Sequence, residues 1–579
     1  MSARVSGRSR HRRCATRSAL PRPGARWTLI LSLLVTTGCA LPGRFLRGYA
    51  EAEPSGMELL AEGGTFANVR TARRGQVRMV FDDFGSLSTD VLETYGMPWK
   101  LVVASVVLDR ERREGAERSL ETYARALEGH GFLRPTRIAN WVGPQPRLQR
   151  PLGIVSGVAT RGFPGVEIEI ANLGCATCHA GPVFGPDGLP TGEAWLGMPN
   201  PSIDVSAYAS DVFAALKRAL AAPDTLLAAV SDLFPHVSAR EISTLRKHAI
   251  PSAHEELARR ADAYGGLVPF HNGGPGLNNG AGSLQFLFGE LTAATLHGSA
   301  GWASAPELSG TSLRRSLLVD GVYAAPGSLR YGPMPADSVT DEHLGGLAGV
   351  VSLFIVGTQG IRPDLARRAI PRVHEVMRFV HELEPPPFPG PVDHRLARHG
   401  ARVYERACAS CHGRYSAGTH DLRLLEHANR LVAQDRMGTD PVRWMSASAD
   451  ALELIDEIGY DRVIERRSEG GYVAPDLSGV WATAPYLHNG SVPTLWHLLH
   501  PDERPSRFRV GGHALDYELL GIAGEKRSDG VYDYPAGYLP WSTPVLFDTG
   551  EPGRSNAGHE FRDLTEAEKR ALLEYLKVL

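Results

Sequence analysis

Two five-residue segments carry cysteine and histidine at a spacing that narrows the chemistry. Cys175-Ala-Thr-Cys178-His179 and Cys408-Ala-Ser-Cys411-His412 are both C-x-x-C-H. This pattern lets two thiols add across the vinyl groups of a porphyrin while the next histidine supplies an axial ligand to its iron. The reading is two covalently attached haem c groups, with Cys175, Cys178, Cys408 and Cys411 holding the cofactors and His179 and His412 ligating the metal. Disulfides or a zinc site would also use four cysteines, but two copies of the whole pattern favour haem. The two other cysteines, Cys14 and Cys39, lie in the first 39 residues. The body of the chain therefore has no spare pair for a structural disulfide, as suits an exported protein whose thiols are committed to haem.

The sixth iron ligand decides what such a protein does. A second strong ligand, His or Met, gives a low-spin electron carrier, and an open position gives a site where oxygen or peroxide binds. Two haems with different sixth ligands would divide the labour, one reacting and the other supplying electrons.

Several elements are positioned to present these motifs. Val166 to Ile170 alternates at period two and predicts a short strand leading into Cys175. Val212, Phe213, Leu216 and Leu220 recur at helical spacing, and the Gly- and Asn-rich stretch His271 to Gly280 reads as a loop. Val373, Val376, Met377, Val380 and Leu383 form a helical stripe that ends at the proline run Glu384 to Pro391. A helix with Leu396, Gly400, Val403 and Ala407 on one face delivers Cys408. Thr565-Glu-Ala-Glu568 is a capping box for a last helix whose Leu572, Leu576 and Leu579 share a face. The expected architecture is mainly α, two cytochrome c-like haem domains with long loops and a few short strands. The boundaries expected are 40–384 for the first domain, 385–392 for a Pro-rich linker and 393–579 for the second.

The chain has 579 residues, and 62 basic against 64 acidic residues give a formal charge of −2, which offers nothing to nucleic acid. Residues 1–39 read as an export signal: a basic stretch, a short apolar run from Trp27 to Val35, then Thr36-Thr-Gly-Cys39. The apolar run is short for a membrane span. Gly-Cys after it resembles a bacterial lipoprotein box, which implies lipidation of Cys39 and a place in the periplasm or at the outer membrane.

Beyond the haem motifs, Gly471 to His500, including Trp481-Ala-Thr-Ala-Pro-Tyr-Leu-His488-Asn-Gly, resembles the segment after the second haem motif in bacterial di-haem cytochrome c peroxidases and the rubber oxygenase A family. Gly438 to Arg443, Arg504 to Phe508 and Phe547 to Phe561 are similar to that family's motifs, in its order. The resemblance covers 393–579 well and the N-terminal part only around Gly174 to Asn200 and Gly274 to Gly280. It implies an N-terminal haem that reacts with oxygen or peroxide and a C-terminal haem with histidine on both sides. Carried onto this chain, the distal ligand of the second haem is His559, with Met437 and Met445 as rivals and an ordinary loop histidine as the alternative. His488 would lie near a haem edge or propionate. His271 and His297 are candidates for the first haem's distal side. Trp302 and Tyr323 are candidates for an aromatic between the haems, and Trp481 is a further aromatic near the second. The active-site aromatics of rubber-cleaving members have no recognisable counterpart here. The resulting expectation is a di-haem oxidoreductase with an unknown redox protein or small molecule as partner; the competing one is a lipid-anchored electron-transfer cytochrome without catalysis.

Overall fold

The run Leu101 to Val107 is apolar on nearly every face, so the helix that contains it must be surrounded. In the computed structural model, which describes residues 71–87, 97–159, 168–264, 268, 271–280, 282–284, 301–446 and 455–579, this helix spans Trp99–Glu114 and buries seven consecutive residues from Leu101 to Val107. The helices Val205–Leu220 and Pro223–Leu233 pack against it. The described residues belong to one compact unit. The basic leader, Cys39 and His297 lie outside them.

A second helical group packs Thr71–Phe81 and Asp341–Gln359 against Ile370–His381. Thr71–Phe81 comes so close that a Cβ on Gly75 would lie 2.2 Å from the Glu375 carbonyl oxygen. Thr340 caps Asp341–Gln359 by accepting from the His343 N–H, and Gly360 ends it in the left-handed region at φ 66°. Near the C-terminus, His394–Ala407 crosses Glu566–Leu576. The crossing needs glycine, because a Cβ on Gly400 would lie 1.9 Å from the Ala571 oxygen. Both bonds of the Thr565–Glu568 capping box are present. The buried face of His394–Ala407 is Ala397, Gly400, Val403 and Tyr404, one residue round from the stripe that apolarity alone indicates.

The expectation of a mainly α protein made of two cytochrome c-like helical domains does not hold. Helix makes up about 41% and strand about 15% of the described residues. Among the described residues, eight small sheets of two to four strands are distributed among the helices. A strand leads into the first C-x-x-C-H motif, as its alternation predicts: Ile168–Leu173 pairs antiparallel with Ile154–Ala159 and runs straight into it. The physical reason for the difference is strand length. Most strands here have two to four residues, too few for alternation to register as a pattern, and they are stabilised by tertiary packing instead.

Candidate haem-binding site

The sheet places the first motif by its backbone. Gly174 N–H donates to the Gly153 carbonyl at 2.7 Å, and the Thr177 hydroxyl donates to the same oxygen at 2.8 Å. Cys175 to Thr177 form a tight turn, and His179 N–H donates back to Cys175 O at 3.1 Å. The two thiols lie between two hydrophobic clusters, Cys175 against one and Cys178 against the other. Burial pushes the Cys175 thiol up to about 12 and Cys178 to about 11. Burial drives His179 down to about 4, with the Pro306 carbonyl beside its ring.

The second motif follows the helix His394–Ala407. Cys408 N–H donates to Tyr404 O at 2.8 Å, and His412 N–H to Cys408 O at 3.0 Å. Gly413 leaves the turn at φ 87°, where its carbonyl accepts from the Tyr404 hydroxyl at 3.0 Å. The His412 ring meets the Pro475 carbonyl through Nδ1 at 2.7 Å. A carbonyl only accepts, so Nδ1 carries the proton and Nε2 keeps its lone pair.

His559 stands opposite His412, their ring centres 6.3 Å apart and the ring planes inclined at 45°. It sits in the left-handed region at φ 50° on a loop fixed from several sides. Arg504 donates to the carbonyls of Gly558 at 2.8 Å, His559 at 3.0 Å, Leu498 at 2.8 Å and His497 at 3.1 Å, and also to Asn556. Asn489 donates to Gly553 and Ser555, and the Asp440 carboxylate accepts from Ser555 N–H at 3.0 Å. His559 N–H donates to Met437 O at 3.3 Å. Burial, with His412 and Arg504 nearby, lowers His559 to about 3.

One cavity of about 1330 Å³ is lined by both C-x-x-C-H motifs together with His488 and His559. It exceeds the roughly 300–1,000 Å³ usual for a single small ligand. The donor set fits haem c. Burial raises the thiols of Cys175, Cys178 and Cys408, the Nε2 lone pair of His412 is available, and the Nδ1 of His559 is buried without a hydrogen-bond partner among the described residues. Metal–imidazole bonds of about 2.0 Å put the centres of two trans rings roughly 6 Å apart, the separation found here. Among the described residues no group of three or more His, Cys, Asp or Glu is arranged to hold a bare metal ion.

The remaining expected residues fall in different places. His488 lines the cavity, stacked on Tyr472 at 4.4 Å, and burial together with Arg443 and His559 lowers it to about 3. Met437 lines the cavity too, whereas Met445 is 60% exposed. His271 is exposed and accepts from Gly273 N–H through Nδ1 at 2.9 Å. Trp302 packs behind the His559 loop, its indole donating to Gly553 O at 3.2 Å with the Arg554 guanidinium over its ring. Tyr323 lines the cavity, and Trp481 is buried against Phe388 and Tyr517.

Arg504 and the two proline carbonyls carry much of this geometry, and sequence reading assigned them no role. The run Arg504 to Phe508 was the available signal for the first. A carbonyl acceptor carries no residue-type signal. Glu307 and Asp476, which follow those prolines, were also missed. Burial, with the neighbouring Asp476, raises Glu307 to about 8, and burial raises Asp476 as well.

Residues 471–509 match the family described as RoxA-like, cytochrome c-like. Two curated proteins of Sinorhizobium fredii (strain NBRC 101917 / NGR234) are similar over part of the chain. Uncharacterized protein y4iJ is 30% identical, with 34% of this chain and 41% of y4iJ covered. Uncharacterized protein y4iM is also 30% identical, with 34% of this chain and 48% of y4iM covered. The chain spans less than half the length of either relative. The matched segment contributes Asn489 and Arg504, which bond to the His559 loop, and His497 and Leu498, whose carbonyls accept from Arg504. A RoxA-like, cytochrome c-like segment implies haem c and the broad role of a haem cytochrome in redox chemistry.

Proposed function

We propose that this chain is an exported di-haem c oxidoreductase in which the two haem sites do different work. The observation that carries the reading is the pairing of His412 with His559 across a cavity that also takes in His179. His412 and His559 would hold the second iron and His179 the first; among the described residues no histidine ring is paired with His179. When bound, haem c supplies one-electron chemistry, and at an iron with an open axial position it supplies reaction with oxygen or peroxide.

The protein's own part is anchoring, orientation and exclusion of water. Each Cys pair fixes a macrocycle, and Pro475 holds the His412 tautomer. The hydrophobic clusters that enclose Cys175 and Cys178 bring Trp99, Phe213, Ile355 and Val376 to the cavity wall, which keeps the first site dry. Arg314 and Arg443 also reach that wall. Arg443 is already ion-paired with the buried Asp320 at 3.1 Å, so the half-buried Arg314 is the cation suited to a haem propionate, and His488 remains a neutral neighbour of the second site. The leader and Cys39 support export and a lipid anchor facing the periplasm, with an unidentified redox protein or small molecule as electron partner.

Intact-mass measurement of the exported protein tests the premise. Two haem additions per chain are expected, with one lost in Cys175→Ser/Cys178→Ser and the other in Cys408→Ser/Cys411→Ser. A single addition in the unaltered protein would overturn the two-haem reading.

A further inference from the structure

The proximal sides of the two haem sites are joined by a short run of bonded groups. His179 O accepts from Gly197 N–H at 2.9 Å, and Gly197 O accepts from Leu308 N–H at 3.0 Å. Leu308 lies in the turn Pro306 to Gly310, whose first residue places its carbonyl beside the His179 ring. At the other end of the turn, Gly310 lies directly on the carboxylate of Asp476. A Cβ there would be 2.1 Å from Oδ2, 2.3 Å from Cγ and 2.6 Å from Oδ1. Asp476 follows Pro475, whose carbonyl fixes His412. Its Oδ1 accepts from Ser478 N–H at 3.1 Å, which shapes the turn that presents that carbonyl.

We propose that Asp476 is a positioning residue that couples the two haem sites: clasped by Gly310, it ties the Pro475 carbonyl under His412 to the Pro306–Gly310 turn, which reaches His179 through Gly197. The inference rests on the two-haem reading above and adds a route between the sites. Displacement of one proximal histidine moves the turn or the carboxylate, and the contact at Gly310 has no slack to absorb it. Glu307, on the same turn, strengthens the case. One of its carboxylate oxygens is buried without a partner among the described residues, and burial, with the neighbouring Asp476, raises Glu307 to about 8.

The test is a spectroelectrochemical titration of holoprotein with both haems loaded, with ferric EPR alongside. Gly310→Ala adds a methyl on the first-site turn without changing charge. It is expected to change the equilibrium constant for reducing the second haem about tenfold, which is about 59 mV for one electron, and to shift that haem's low-spin signal. Asp476→Ala is expected to shift the first haem's potential as well as the second's. Asp476→Asn, which keeps the acceptor for Ser478, should lie closer to the unaltered protein. Ala and Asn remove the same charge, so the difference between them reports position alone. Where Gly310→Ala loads haem poorly, the Ala/Asn comparison decides the matter. Identical behaviour of Asp476→Ala and Asp476→Asn at the first haem would overturn the coupling. So would a Gly310→Ala holoprotein whose second haem is unmoved. Loss of the two-haem reading would appear separately, as one haem per chain in the unaltered protein.

Discussion

At the scale of single residues, the histidines around this cavity are prepared as ligands by what surrounds them. His412 must present Nε2 because Pro475 takes its Nδ1 proton. Burial keeps His179, His488 and His559 neutral, the form in which imidazole donates a lone pair. His513 shows the same physics away from the haem sites. It is 1% exposed, and neither ring nitrogen has a hydrogen-bond partner among the described residues. Burial lowers it to about 4. The unfolded chain therefore binds the proton that the folded chain refuses. Stability should be complete above about pH 6.5 and fall as pH drops toward 4, by roughly 1.4 kcal/mol per unit of displacement. Urea unfolding at pH 7 and pH 5 should show His513→Leu losing less stability on acidification than the unaltered protein. Equal losses would remove His513 from the account.

At the scale of elements, the loop carrying His559 is where distant parts of the sequence meet. The runs 438–443, 504–508 and 547–561 look unrelated in the chain, yet Asp440 and Arg504 both bond to residues 555–559. Burial lowers Arg504 only to about 10, so it keeps its charge at neutral pH. Arg504→Met leaves carbonyls of two segments without donors. It should cost about 3 kcal/mol or more in urea unfolding and convert part of the second haem to high spin in ferric spectra. An unchanged low-spin signal at full stability would show that other contacts suffice. Much of this level was legible in residue patterns. The capping box at Thr565, the helix over Val212 to Leu220 and the strand before Cys175 all leave periodic or capping signals. The Arg504 clamp did not show itself, because backbone acceptors can belong to any residue type.

At the scale of the molecule, helices and many small sheets share one cavity open to both haem motifs. The broad role of a haem cytochrome was legible because C-x-x-C-H is a local pattern, set by five adjacent residues. The architecture was not, because strands of two residues, such as Tyr323–Ala324 between Ser316–Leu317 and Glu465–Arg466, join segments more than a hundred residues apart. Pairings of that range leave no trace in local periodicity. The sharing of one cavity likewise comes from tertiary packing, which brings Pro306 and Pro475 to the two proximal histidines.

Low-temperature EPR of the ferric protein, with haem content measured alongside, shows whether the two irons are held differently. One low-spin haem, held by His412 and His559, and one high-spin haem at His179 are expected, with His559→Ala converting the low-spin signal to high spin. Two low-spin haems in the ferric protein, or a low-spin signal that survives His559→Ala, would contradict this expectation.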